Sequence, residues 1–257
     1  MDEWFVPGKF GKLADDTIRL LWRGRSALLA LFVLPSMLSQ SAFAYYDGDS
    51  EFGVLLLAAA IDPAISGVLN VLFVATACQV VTRNNASIGA SIVWARQIRY
   101  RPYIAANFLM VAAILLGFLA FILPGIYAIV ALAFVAPVAL LEQTGPRRTM
   151  DRSIELVRGA FRRTAGPLIG LGLGAVIVVE LAIGYFGSGS NEQVHIVDAL
   201  VAAAAHSFAA AIAAAVIFIL YIQRRAEREG LDWRRLERAY RAAAARELVV
   251  DLPPAAD

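Results

Sequence analysis

The sequence predicts an all-α, polytopic integral membrane protein of six transmembrane helices, paired as three hairpins, with amphipathic helices at the cytoplasmic interface. Three observations lead there. Of 257 residues, 60% are hydrophobic, whereas a soluble domain has about 45–50% even when glycine is counted. Charged residues, 17% of the chain, fall in blocks separated by apolar runs of roughly 20 residues, the length a helix needs to cross about 30 Å of hydrocarbon. Lys and Arg occupy only alternate connections, as they do in cytoplasmic loops.

Taken in order, the spans are Ala27 to Tyr46, Pro63 to Val81, Tyr103 to Leu123, Ile126 to Leu141, Ala165 to Phe186 and Ala202 to Gln223. Residues 1–26 form a cytoplasmic N-terminal amphipathic segment, 27–223 the membrane domain, and 224–257 a basic cytoplasmic helix with a disordered tail, "DLPPAAD". Lys9, Lys12, Arg19, Arg23 and Arg25 precede the first span, and Arg83, Arg96, Arg99 and Arg101 lie between the second and third. Six arginines, from Arg147 to Arg163, separate the fourth and fifth spans, and the remaining eight follow the sixth. The other connections, "DGDSE", "LPG" and "GSGSNEQVHIVD", carry only acidic charge, so both termini are expected in the cytoplasm of a bacterial inner membrane. The segment "SQSAFA" ending at Ala44 resembles a signal-peptidase site, but the preceding stretch is long and contains acids, and the first span is expected to remain uncleaved.

The run from Tyr103 to Leu141 carries no charge, and "ILPGI" stands at its middle. Pro124 disfavours helix at the residue before it and Gly125 admits positive φ, so the pair is expected to turn the chain at the outer face. Each basic segment reads as an interfacial helix. Met150, Ile154, Val157 and Phe161 recur at helical spacing, as do Ile88, Ile92 and Ala95. The segments "SIVWARQIRYRPY" from Ser91 and "SIELVRGAFRRTA" from Ser153 align, with a weaker echo, "TIRLLWRGRSALL", from Thr17. The pattern suggests three units of interfacial helix plus hairpin, or convergence on one basic amphipathic pattern. After the sixth span, Gly230 can end a helix and Asp232 can cap the next, whose Trp233, Leu236, Tyr240 and Ala243 share a face.

Pro124-Gly125, then Pro137 and Glu142 closing the next span, then the Arg-Ser-x-x-Leu-x-Arg-Gly pattern at Arg152, Ser153, Leu156, Arg158 and Gly159, together resemble a known family. It is the membrane domain associated with bacterial glycerophosphoryl diester phosphodiesterases, with its related stand-alone membrane proteins, and the resemblance covers roughly Ser87 to Gln223. In fused members a soluble barrel supplies the chemistry. This chain has no segment long enough to be one, so the resemblance implies no phosphodiesterase activity.

Candidate chemical residues are few. Asp62 before Pro63 reads as a helix cap at the outer boundary, with a short helix over Phe52 to Ile61 before it, or as an ion site. Glu180 lies about 22 Å and His206 about 25 Å from the inner ends of their antiparallel spans, so the two can meet as a structural pair or a protonatable site. Gly166, Gly170 and Gly174, with the alanine-rich sixth span, would permit close approach of those helices or of another copy. Arg148, Arg152, Arg158, Arg162 and Arg163 are candidate contacts for anionic lipid.

Cys78 is the only cysteine, which excludes an intramolecular disulfide and a cysteine-based zinc site, and two histidines cannot fill a multi-histidine metal site. No phosphate loop, HExxH pair or GxSxG elbow is present, so no enzyme activity and no cofactor is expected. Basic membrane-flanking loops need no nucleic acid to explain them. The expected role is a non-enzymatic scaffold or accessory subunit that contacts membrane lipid and forms a homo-oligomer or membrane complex. The alternative is a transporter or channel for a lipid-like or small hydrophobic solute, using Glu180 and His206 with Asn70 or Asn107 along the path.

Overall fold

The computed structural model describes residue 4 and residues 10–38, 52–186 and 192–250, without the side chains of residues 10, 52–64, 171–173, 175, 176, 178–180, 182–186, 192–199 and 243–250. All regular secondary structure among the described residues is helical, with no strand. In chain order the helices are α1 (Phe10–Arg23), α2 (Arg25–Leu38, wound as a π-helix over Leu29–Val33), α3 (Phe52–Arg83) and α4 (Ile88–Arg96). They continue as α5 (Tyr100–Ala120), α6 (Ile122–Ala131), α7 (Val135–Glu142), α8 (Pro146–Val157), α9 (Phe161–Phe186), α10 (Glu192–Glu229) and α11 (Trp233–Val250). Four helical segments among the described residues are long and apolar enough to cross a membrane: Ile65–Arg83, Tyr100–Ala120, Ile122–Glu142 and Leu200–Glu229. The pair α1–α2, bent by 76° at Gly24, makes a fifth if it is one broken span. The span expected over Ala165 to Phe186 falls in α9, largely outside the described side chains, and the tail "DLPPAAD" falls outside the described residues.

The hairpin predicted between Tyr103 and Leu141 is present, with α5 packed along both α6 and α7. Its turn lies earlier than expected. Phe121, in extended conformation at φ −171° and ψ 163°, breaks the chain, and α6 begins at Ile122. Pro124 thus sits in the first turn of α6, where a missing N–H costs nothing, and Gly125 is helical rather than left-handed. The glycine serves close approach instead: a Cβ there would lie 2.5 Å from the Phe118 ring, and one on Gly117 would lie 3.0 Å from the Gly125 Cα. The outer surface of this hairpin is hydrocarbon, with Leu119 84% and Phe121 79% exposed, as suits a face against lipid.

The second arm is broken over Leu132 to Phe134, ahead of Pro137. A continuous helix would drive the Pro137 ring into the Ala133 carbonyl, so the break is the consequence of the proline. It frees two backbone groups in a buried region, and α8 satisfies both. Ser153 Oγ donates to the Ala131 carbonyl at 2.8 Å and accepts from the Phe134 N–H at 3.2 Å.

Two local readings at the end of the chain hold. Gly230 adopts φ +62° and closes α10, and the Asp232 carboxylate accepts from the Arg235 N–H at 2.7 Å to cap α11. The expected face of α11 is buried at Leu236 and Tyr240. It docks back on α3 and α4, where Tyr240 stacks on Trp94 with centroids 4.9 Å apart.

The reading at Asp62 needs correction. Helix α3 runs unbroken from Phe52 to Arg83, so Asp62 is in helical backbone and no separate outer helix precedes it. A proline within a membrane helix removes one hydrogen bond, which neighbouring groups can offset. The Asp62 side chain lies outside the described residues.

The three aligned basic segments share one register of burial. Thr17, Ser91 and Ser153 are all buried, as are Leu20, Trp94 and Leu156 three residues later, whereas the intervening positions are partly or fully exposed. In each case the helix ends one to three residues further on, and the next begins at Arg25, Tyr100 or Phe161. A small hydroxyl side chain on the inward face of a short helix, followed by a sharp break into an apolar helix, is therefore common to all three.

Candidate functional site

Two arrangements stand out. The first is a polar latch at the basic end of the bundle, where the end of α7 meets α8 and the last turns of α10. Residues Tyr221, Arg225 and Glu229 are spaced by four and so share one face of α10. Arg225 Nε donates to Glu229 Oε2 at 2.9 Å, Arg225 Nη1 donates to the Tyr221 hydroxyl at 3.0 Å, and Tyr221 donates to Glu142 Oε1 at 3.2 Å. Arg152 closes the circuit from α8. Its Nε lies 3.2 Å from Glu142 Oε2, its Nη1 3.4 Å from Glu155, and its Nη2 bonds Glu229. Burial alone would lower the Arg152 pKa, but the charges of Glu142 and Glu229 prevail and hold the guanidinium above its ordinary value. Beside the latch, Arg228 donates to the carbonyls of Glu155 and Arg158, closing the end of α8.

A neutral counterpart joins α3, α4 and α11. Gln79 Nε2 donates to Ser91 Oγ at 2.9 Å and to the Tyr240 hydroxyl at 3.2 Å, while its Oε1 accepts from the Ser87 N–H at 3.0 Å. Thr76 and Ser91 share a hydrogen bond of 3.0 Å, and the Trp94 indole donates to the Tyr240 carbonyl at 2.8 Å. Burial raises the Tyr240 phenol above its ordinary range, so this hydroxyl stays protonated.

The second arrangement is a cavity of about 300 Å³ between α2, α3 and α10. Phe32, Leu69 and Ala213 contribute apolar groups to its lining, and Ser36, Ser66 and Asn70 polar ones. Ser36 accepts from Ser207 at 3.2 Å, and the Tyr103 hydroxyl donates to the Gly67 carbonyl at 3.2 Å. Depth follows from the helical rise. Ser36 is eleven residues from Arg25, Asn70 thirteen from Arg83, and Ala213 eleven from Arg224. At 1.5 Å per residue these are about 16, 20 and 16 Å from the basic ends, close to the middle of a hydrocarbon layer about 30 Å thick.

The candidates from sequence separate clearly. Of the five arginines, Arg152 is committed to the latch, whereas Arg148, Arg158, Arg162 and Arg163 are exposed and their side chains make no ion pair among the described residues. His206 is exposed, and its Nδ1 lies 2.9 Å from the carbonyl of Ala202 on its own helix. The Glu180 side chain lies outside the described residues, and with it the expected pair. Helices α9 and α10 do pack together, but not through the glycines: a Cβ on Gly166, Gly170 or Gly174 would meet nothing within 4 Å. Asn70 lines the cavity, and Asn107 is not in its lining. The latch was missed in the sequence although the signal was present in the spacing of Tyr221, Arg225 and Glu229. No family model matches the chain, and no curated protein or solved structure matches it.

Proposed function

We propose that this chain is a non-enzymatic inner-membrane scaffold or accessory subunit with six spans and both termini cytoplasmic. Its basic helices rest on anionic lipid, and it packs with protein partners or a second copy. The observation that carries this reading is the division among the arginines. The charges that converge, Glu142, Arg152, Arg225 and Glu229, neutralise one another and so hold helices together. Arg148, Arg158, Arg162 and Arg163 are left exposed at the start of α8 and across its junction with α9, where each would add on the order of 1 kcal/mol of attraction to an anionic surface. Replacing these four with glutamine should reduce the phosphatidylglycerol retained in native mass spectrometry by at least about tenfold. Unchanged retention, or the absence of any assembly in mild detergent and native membranes, would count against the proposal.

The cavity favours a second reading, a carrier of a lipid-like or small hydrophobic solute in which Glu180 and His206 supply the protonatable groups. On that reading Glu180→Gln abolishes proton-coupled uptake of the solute into proteoliposomes. Uptake and coupling that persist in the variant would remove the mechanism.

A further inference from the structure

The cavity between α2, α3 and α10 has the depth, size and lining of a ligand site, and we infer that it binds a neutral, lipid-soluble molecule with one hydroxyl or carbonyl on a short alkyl body. The inference requires binding only and stands apart from whether the chain is a scaffold or a carrier.

Depth excludes charged ligands first. The site lies some 16–20 Å from the basic helix ends, where a charge is costly. Its lining is free of charge: Phe32, Ser36, Ser66, Leu69, Asn70 and Ala213 have no ionisable side chain. A phospholipid headgroup therefore has nothing to gain here. Size comes next, since 300 Å³ is about twice a cavity that takes up benzene, and at about 30 Å³ per carbon-sized group it holds roughly ten such groups. It equals the lower end of ordinary ligand pockets.

The polar lining residues set the chemistry. An asparagine amide has two N–H donors and a carbonyl, and a serine hydroxyl has one donor and two acceptor sites. The contact of Ser36 with Ser207 uses only part of that capacity. In hydrocarbon no bulk water supplies the remainder, so a hydroxyl or carbonyl brought by a solute is matched there as it is not in the surrounding lipid. Leu69 and Phe32, also in the lining, accommodate the alkyl part.

The test uses the full chain in proteoliposomes and a ten-carbon primary alcohol bearing a photoactivatable diazirine, with cross-links located by peptide mass spectrometry. The expected result is saturable labelling of the segments around Phe32–Ser36, Leu69–Asn70 and Ala213, reduced at least about tenfold by excess 1-decanol. Ala213→Phe, which puts a phenyl ring into the cavity, should reduce it about fivefold or more in protein that remains monodisperse. The corresponding diazirine-bearing decane should label the site several-fold less than the alcohol. Non-saturating label concentrated on the lipid-facing Leu115, Leu116 and Leu119 would overturn the inference, as would equal labelling by alkane and alcohol. Should Ala213→Phe not fold, competition by 1-decanol on the unaltered chain decides, and label that survives the excess refutes the site.

Discussion

Arg152→Ala is expected to lower the unfolding stability of the protein in mild detergent by about 2 kcal/mol. An exposed ion pair is worth about 0–1 kcal/mol and breaking a buried one costs about 3–5 kcal/mol. The latch lies between these limits, since the Arg152 side chain is 27% exposed and that of Glu142 17%. Its loss leaves Glu142 and Glu229 facing each other with Arg225 alone to balance them. Geometry also separates arginine from lysine here. Three guanidinium nitrogens reach three carboxylates, on Glu142, Glu155 and Glu229, and a single ammonium cannot hold all three. Arg152→Lys should therefore recover only about half of the loss. The decisive measurement is a double-mutant cycle of Arg152→Ala with Glu229→Gln, followed by reversible unfolding in detergent. Coupling of about 1 kcal/mol or more is expected. Strict additivity would show that the two side chains are neighbours without being partners.

How much of this was legible in the sequence depended on range. Gly230 and Asp232 act within one turn of their own positions, so the end of α10 and the start of α11 could be read directly. The hairpin was legible from its uninterrupted apolar run, but the turn was displaced, because Pro124 is as acceptable inside the first turn of α6 as before it. Periodicity suggested an apolar stripe on α8, and burial does not follow that stripe. The expected stripe included Ile154, yet that residue is 38% exposed while Thr149 and Ser153 are fully buried. In water an apolar stripe seeks the core. Next to hydrocarbon it can face outward, and the buried positions go to groups that have a polar partner inside. The latch and the cavity depend on contacts between distant segments, 77 residues apart for Arg152 and Glu229, and 171 for Ser36 and Ser207, which no local pattern encodes.

Ser153→Ala should cost about 3 kcal/mol, because it removes the one side chain that serves both free backbone groups at the α6–α7 break. Each buried group left unmatched costs about 1–3 kcal/mol, and the fully buried site gives water little access. Ser91 occupies the aligned position on α4, but its partners have alternatives: Thr76 also donates to the Leu72 carbonyl, and Gln79 also donates to the Tyr240 hydroxyl. Ser91→Ala should therefore cost only about 1 kcal/mol. The origin of the break supplies a stricter test. If Pro137 forces it, Pro137→Ala lets α6 and α7 join, the Ala131 carbonyl and the Phe134 N–H find partners within the helix, and the hydroxyl becomes dispensable. The double variant Pro137→Ala, Ser153→Ala should then be more stable than Ser153→Ala alone, by about 1–2 kcal/mol. Equal losses for the two serines, or a Pro137→Ala change that deepens the loss, would mean that Ser153 contributes by packing and that the break has another cause.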